Sequence, residues 1–442
     1  MSFASKKLKK LGIVLRKFNI RIVKDNEFLI LDLSQIASGF TKTIKEWIYR
    51  ILNVYENHYF VSIKGLPYCL FPEAHDHIIY EKNNGVYRKF KACKICKYFY
   101  FCPGFKEKNI APSQITPIPN LPIDIAIEVN KTCNLKCAFC LHDNKHARPN
   151  LSFNKIKDAL DEARELNIRC IRFTGGEPLL RKDIFKILRY AKSKGLYVYL
   201  NTNATLVNDS IIKELEKYVD NVLVSLCGYS NHTEHIINAG SNLLKNRLMN
   251  ILKLKRSKIP HIRIGTVISK LLIDNFKKYS VLISYLGIAS WELYRPMLSL
   301  SSAKEHPNYR TTRDDILKLL ALMARLRKSG INVYIANATP FCISNNGSHK
   351  LMMRGAQFDD GHTRLVYDST GIFKPSYFIS KDLGNNIKKA WSHPFIKKIN
   401  SGEYLHNKCK NCPHLRWCLG GSRYLAKEYF NDYFACDPLA KN

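Results

Sequence analysis

The stretch Ile123-Asp124-Ile125-Ala126-Ile127-Glu128-Val129-Asn130-Lys131-Thr132-Cys133-Asn134-Leu135-Lys136-Cys137-Ala138-Phe139-Cys140 decides how this chain is read. It opens with a β-rich run, Ile123–Val129, and closes on a loop carrying three cysteines. Further β-rich runs recur at Cys170–Phe173, Leu196–Leu200, Val222–Ser225, Ile262–Ile268 and Ser290–Leu293. Helical stretches fill the intervals: Phe153–Leu166, Asp183–Lys194, Ser210–Tyr218, Ser241–Lys255 and Asp274–Leu286, with Gly195 and Gly287 placed to end two of them. Strands alternating with helices predict a parallel sheet joined by right-handed crossovers. Runs rich in Val and Ile without strict alternation are buried on both faces, which favours a barrel or part-barrel. The helix Asp314–Lys328 and the strand Ile331–Ile335 continue the pattern. The expected fold class is α/β: a partial (β/α)6 TIM-like barrel core with N- and C-terminal cysteine-rich modules.

The flanks are organised differently. A proline-rich linker over 111–122 follows an accessory segment, 1–110, in which Phe28–Leu33 is strand-like and Thr41–Leu52 helix-like. Beyond Pro340 the periodicity weakens and cysteines return. The core is therefore expected over 123–338, and a small metal-stabilised module over 339–442.

At 442 residues, 46% hydrophobic and 24% charged, the chain has the composition of a soluble protein with ample core material. Its 21 Gly and 17 Pro exclude collagen-like and low-complexity classes. No apolar run reaches the roughly 18–20 residues of a membrane span. Met1–Arg21 is basic, but Arg16 and Lys17 interrupt its short apolar stretch, so no secretory leader is read. A cytoplasmic protein without membrane attachment is expected. Lys and Arg outnumber Asp and Glu by 70 to 36, a net charge of +34. The excess is even: +11 over residues 1–120, +12 over 121–300 and +11 over 301–442. Such a surplus suits RNA, an acidic peptide or an anionic surface. Its uniformity suits a compositional habit equally well.

Of 14 cysteines, most fall into three sets: Cys69, Cys93, Cys96 and Cys102; Cys133, Cys137 and Cys140; Cys409, Cys412, Cys418 and Cys436. Cys170, Cys227 and Cys342 stand apart. Grouped cysteines in a long intracellular chain point to metal rather than disulfides. The middle set follows the first strand, at the carboxyl end where parallel α/β units bind ligands. Three thiolates there can hold three irons of a cubane and leave the fourth iron open for chemistry. Zinc is the alternative, but it needs a fourth ligand such as His142.

Together with Gly175-Gly176-Glu177-Pro178 after the second strand, Cys133, Cys137, Phe139 and Cys140 resemble the radical S-adenosylmethionine (radical SAM) enzymes over about residues 123–295. The resemblance implies that Cys133, Cys137 and Cys140 bind a catalytic [4Fe-4S] cluster whose free iron chelates S-adenosyl-L-methionine. Reductive cleavage then yields a 5′-deoxyadenosyl radical that abstracts hydrogen from substrate, with an electron donor such as ferredoxin or flavodoxin. It further implies that Phe139 packs near adenine and that Gly175, Gly176 and Glu177 meet the methionyl amine. Asn203 and Ser225 match positions reaching the carboxylate or ribose, and strand-end capping is their other reading. Cys227 stands where relatives often have Asp.

Cys409, Cys412, Cys418 and Cys436, preceded by Leu383-Gly384-Asn385, Trp391 and Phe395, resemble the SPASM extension of peptide-modifying radical SAM enzymes. This implies an auxiliary [4Fe-4S] cluster, with Zn(Cys)4 as the alternative. Ser376 and Ser422 occupy positions where the full pattern has cysteines, and Cys342 lies too far upstream of Gly371, so a second SPASM cluster is expected to be absent. Cys93, Cys96 and Cys102 repeat the spacing, with Cys69 as fourth ligand of a small accessory Fe–S or zinc site. His232 and His235 are read as loop residues. The expected function is modification of a peptide or protein side chain. RNA modification is the rival enzyme reading, and a metal-binding protein without catalysis the non-enzymatic one.

Overall fold

A computed structural model describes residues 19–25, 28–33, 42–55, 59–65, 67–70, 89–96, 104, 120–140, 150–238, 243–288, 290–410, 412 and 414–440. The chain divides into two compact units, Met1–Asn120 with Asn346–Leu351, and Leu121–Asn345 with Met352–Asn442.

In the first unit, β1 (Arg21–Asp25) pairs antiparallel with β2 (Phe28–Asp32), which pairs parallel with β3 (Phe60–Lys64). The connection between β2 and β3 runs through helix α1 (Lys42–Tyr55). Leu29 and Leu31 from β2, Val61 and Ile63 from β3, and Ile44, Ile48 and Ile51 from α1 form its core. The α1 residues follow the i, i+4, i+7 spacing of one helical face. The sequence reading found β2 and α1 but neither flanking strand.

The second unit is built on a nine-stranded sheet ordered β10-β9-β8-β7-β6-β5-β4-β11-β12. Its strands are β4 (Asp124–Glu128), β5 (Cys170–Thr174), β6 (Tyr197–Thr202), β7 (Asn221–Ser225), β8 (His261–Val267), β9 (Trp291–Tyr294), β10 (Val333–Ile335), β11 (Arg364–Tyr367) and β12 (Phe373–Lys374). From β10 through β11 every pairing is parallel, and only β12 runs antiparallel. Helices α2 (Phe153–Glu165), α3 (Ile184–Ser193) and α4 (Asp209–Tyr218) connect successive strands. α5 (Asn231–Ile237) and α6 (Leu244–Arg256) lie between β7 and β8. The expected helix Asp274–Leu286 is α8 (Phe276–Leu286), and a short helix that was not expected, α7 (Lys270–Asp274), precedes it across Asn275.

The partial barrel is therefore present, with β10 extending the six core strands. The boundary expected at 338/339 does not divide the structure, because β11 and β12 join the same sheet beside β4. Arg364 on β11 forks onto Asp124 of β4 (Nε–Oδ1 2.6 Å, Nη2–Oδ2 2.9 Å), and Arg172 of β5 approaches from the other side at 3.7 Å. Burial alone raises the Asp124 carboxyl, but these guanidiniums more than compensate and hold it below its usual range. The linker up to Pro119 lies outside the described residues. Among the described residues no helix is long and apolar enough to cross a membrane.

Candidate active site at the carboxyl ends of the strands

The loop carrying Cys133, Cys137 and Cys140 leaves the carboxyl end of β4 and is stitched to the loop after β5. The N–H of Gly176 donates to the Asn130 carbonyl (2.9 Å), and that of Glu177 to the Thr132 carbonyl (2.8 Å). Asn130 Nδ2 donates back to the Glu177 carbonyl at 2.9 Å. A Cβ on Gly175, at φ 145°, would lie 2.2 Å from the Asn130 carbonyl oxygen, and one on Gly176 2.0 Å from that of Thr132. Both glycines are thus required by the cysteine loop's own backbone, a partner the sequence did not reveal.

Glu177 is buried. Its Oε1 accepts from Thr202 Oγ1 (2.7 Å) and the Leu179 N–H (3.1 Å), and its Oε2 from the Asn203 N–H (2.7 Å). It caps the short turn Pro178–Leu180, not the helix beginning after Asp183. Burial raises its carboxyl pKa against the pull of these donors. Three of roughly four acceptor positions are filled, leaving room for one more donor.

Asn203, just past β6, donates from Nδ2 to Asn134 Oδ1 (2.9 Å) and reaches Cys133 Sγ at 3.8 Å. Its Oδ1 accepts from the Thr205 N–H and hydroxyl, so it braces the cysteine loop. Ser225 ends β7 with its side chain exposed. Phe139 meets Tyr309 edge-on at 5.3 Å, beside Val267 of β8. His232 and His235 are exposed, on α5 rather than on a loop.

The thiols sense one another. Burial raises Cys133, with Cys140 adding to the shift, and burial then Cys227 and Cys140 raise Cys137 well above its usual value. The Leu135 N–H donates to Cys133 Sγ at 3.4 Å, and Cys137 Sγ donates to Asn238 Oδ1 at 2.9 Å. An N–H aimed at sulfur, as at Cys133, stabilises a metal-bound thiolate, and three cysteines on one loop fit an iron–sulfur cluster, whereas the Cys137 bond to Asn238 belongs to the protonated thiol. Among the described residues no three His, Cys, Asp or Glu side chains are drawn into metal-holding geometry.

At the C-terminus, Cys418 accepts backbone N–H bonds from Phe341 and Gly420 and is pushed up to about 12 by burial. Cys409 is raised by burial and by its neighbours Cys436, Cys342 and Cys412. Cys342 therefore does not stand apart: it lies near enough to Cys409 and Cys418 to raise both, carried there by the Phe341–Ile343 turn, whose Phe341 N–H bonds Cys418 and whose Phe341 ring lies 5.5 Å from that of His414. Cys436 is anchored through Asp437, which pairs with Arg295 after β9 (2.8 and 3.1 Å). The serines in the two SPASM cysteine positions are built into the backbone. Ser422 caps the helix Arg423–Phe430, and Ser376 Oγ accepts from the Phe378 and Ile379 N–H groups.

In the first unit, buried Cys69 packs with Cys93 and Phe90, whose N–H lies 3.4 Å from Cys93 Sγ. Cys96 is partly buried, one turn on. Cys102 lies outside the described residues.

Sequence reasoning missed Arg247, Glu234 and Asn238. Arg247 is 2% exposed, on the otherwise apolar stripe Leu244, Ile251 and Leu254 of α6. A charge inside an apolar stripe was the available signal.

A parallel part-barrel with a three-thiol loop at its first strand end defines a class of cofactor-dependent enzyme. Residues 127–279 match the Radical SAM superfamily. The chain is 24% identical over 349 residues to AdoMet-dependent heme synthase of Methanosarcina barkeri, covering 72% of this chain and 96% of that protein. It is 24% identical to the mycofactocin maturase MftC of Mycolicibacterium smegmatis, covering 72% and 84% respectively. The crystal structure of Streptococcus suis SuiB bound to S-adenosylmethionine superposes with TM-score 0.59 at 17% identity, over 73% of this chain and 78% of SuiB, a likeness of fold. Residues 127–279 thus form a radical SAM domain, and the chain is an S-adenosylmethionine-dependent enzyme with a C-terminal extension.

Proposed function

We propose that this enzyme modifies a peptide or protein side chain by radical chemistry, with Cys133, Cys137 and Cys140 holding a [4Fe-4S] cluster. The observation that carries the reading is the three-thiol loop locked to Gly176 and Glu177 at the ends of β4 and β5. When bound and reduced, the cluster supplies the electron that cleaves S-adenosylmethionine to a 5′-deoxyadenosyl radical. This chain's residues bind and orient. Asn203 braces the loop, while Gly175, Gly176 and Glu177 shape the methionyl site. Ser225 offers a hydroxyl at the strand end, and Phe139 gives an apolar wall for adenine.

Cys409, Cys412, Cys418 and Cys436 hold an auxiliary cluster. Cys69, Cys93, Cys96 and Cys102 hold a second centre of iron–sulfur or zinc type. In both, four thiolates close the metal to substrate, which suits a structural or electron-relay role. The engagement of Ser376 and Ser422 in capping supports a single cluster in the C-terminal module.

A peptide substrate is supported by the name of a relative over 97 residues, a PqqA peptide cyclase, and by SuiB, which has been crystallised with its precursor peptide SuiA. The heme synthases cover as much of the chain, so a haem-related substrate is the second reading. The +34 charge keeps RNA as a further partner to test. A cytoplasmic site of action and reduction by a ferredoxin or flavodoxin complete the reading.

The test is to search beside the gene for a small precursor peptide and to incubate any such peptide anaerobically with the enzyme, S-adenosylmethionine and a reductant. 5′-Deoxyadenosine formation with a peptide mass change supports the proposal. Turnover of a tetrapyrrole instead, or a salt-sensitive tRNA shift with modification, would replace the substrate class.

A further inference from the structure

Arg247 is, with Arg423, one of the fully buried arginines of the second unit, and it lies outside the motifs read from the sequence. A guanidinium among Leu244, Ile251 and Leu254 costs several kcal/mol unless it is paired and its donors are used. Both conditions are met. Its Nη1 donates to Glu234, itself fully buried, its Nη2 to the Ser225 carbonyl, and its Nε to the Asn203 carbonyl at 3.0 Å. One planar group thus grips the ends of β6 and β7 at the two residues proposed to face the cofactor.

The contacts continue on both sides. Glu234 accepts from the Gly228 N–H (3.0 Å) and from Asn238 Nδ2, and Asn238 Oδ1 accepts from Cys137 Sγ. At the other end, Asn203 Nδ2 lies 3.8 Å from Cys133 Sγ. A single chain of contacts therefore runs Cys133–Asn203–Arg247–Glu234–Asn238 and ends beside Cys137, whose thiol bonds Asn238 only while it carries its proton. It brackets the cysteine loop from two sides and passes under the proposed cofactor contacts. The Ala138 N–H, which donates to the Ile237 carbonyl at 2.9 Å, fixes the same loop to α5 beside Asn238.

We infer that Arg247 is a positioning residue that couples the cofactor-facing ends of β6 and β7 to the cysteine loop, through Asn203 on one side and Glu234 and Asn238 on the other. This rests on the proposed roles of Cys133, Cys137, Asn203 and Ser225. The geometry makes the two half-sites one mechanical body: the cofactor cannot shift the strand ends without moving groups that touch Cys133 and Cys137. Outer-shell partners of metal ligands typically cost about 10- to 100-fold in affinity or activity when removed.

The test uses the full chain, anaerobically loaded with iron. Arg247→Met/Glu234→Gln removes both charges together, so no buried ion is left unpaired, and Arg247→Lys keeps the charge but loses the fork. For each, iron content, thermal midpoint, S-adenosylmethionine affinity by titration, and the EPR spectrum of the reduced cluster with and without S-adenosylmethionine are measured. The expected result is retained iron with affinity weakened about tenfold or more, and a smaller spectral response to S-adenosylmethionine. Arg247→Lys should fall between wild type and the double variant. Unchanged affinity and spectrum in a folded, iron-loaded variant would overturn the inference, leaving Arg247 a core ion pair. If the double variant does not fold, Arg247→Lys decides by the same readings. Failure of the underlying assignment is distinct: Cys133, Cys137 and Cys140 replaced together by Ala would then lose no iron.

Discussion

Replacing Glu177 by Ala tests how the site is held together. The substitution removes the acceptor of the Asn203 N–H, the Leu179 N–H and the Thr202 hydroxyl at once. A buried donor left unsatisfied costs about 1–3 kcal/mol, so three of them together, not fully additive, should cost about 3–6 kcal/mol. That loss falls where β6 meets the cysteine loop, because Asn203 also carries the contact to Asn134. S-Adenosylmethionine affinity should therefore fall together with stability, while iron content stays intact, since Glu177 is not a ligand. Glu177→Gln keeps one carbonyl oxygen and should lose about half as much stability. The assay is thermal unfolding beside a binding titration and an iron assay on one anaerobic sample. A large loss of affinity with unchanged stability would overturn this account. It would mean that the carboxylate serves the cofactor directly and that its bonds to Asn203 and Thr202 are dispensable.

Three other outcomes are expected. Anaerobic reconstitution should give roughly twelve irons per chain, three cubanes at four each; a value near four with two zincs would remove both flanking clusters and spare the catalytic one. Arg364→Met should destabilise the second unit by about 3–5 kcal/mol in urea unfolding, because Asp124 keeps only Arg172 at 3.7 Å, and Asp124→Asn added to it should recover part of the loss. Asp359, pushed up to about 7 by burial and by adjacent Asp360, keeps its proton in the folded state through a range where the unfolded chain has released it. Folded protein then binds more protons than unfolded, so this group's contribution is fully present at low pH and is lost as pH rises through about 7. The cost is at most about 1.4 kcal/mol per pH unit. Asp359→Asn should flatten that slope between pH 5 and 7 while keeping the acceptor for the Ala338 N–H, and an unchanged slope would count against the assignment.

The sequence made β4 to β9 legible because short strand-like runs alternate with amphipathic helices, although only β4 and β7 are buried along nearly their whole length while β5 and β6 alternate buried and half-buried residues. It also carried the cysteine loop, whose ligands lie within one short stretch. Contacts made across long separations were not legible. β11 and β12 are short, and β11 finds its partner β4 only in three dimensions. Cys342 belongs beside Cys409 and Cys418 through the packing of Phe341, which no spacing rule contains. The short helix α7 was not legible either, being five residues long and ending at Asn275, where α8 begins. The glycines after β5 were found as a motif, but the backbone they admit was visible only in the fold.

The partnership of β4 with β11 has a consequence for how the molecule is made. β4 carries the cysteine loop, yet its second neighbour is Arg364–Tyr367, and the fork on Asp124 spans 240 residues of sequence. While the chain is being synthesised, β4 has one open edge and Asp124 lacks its closest cation until that late segment emerges. An open strand edge is a template for unwanted pairing, and contacts of long sequence separation form slowly. The reactive centre is thus among the last parts of the unit to be sealed. A nascent chain stalled before Arg364 presents its cysteine loop on an unfinished sheet.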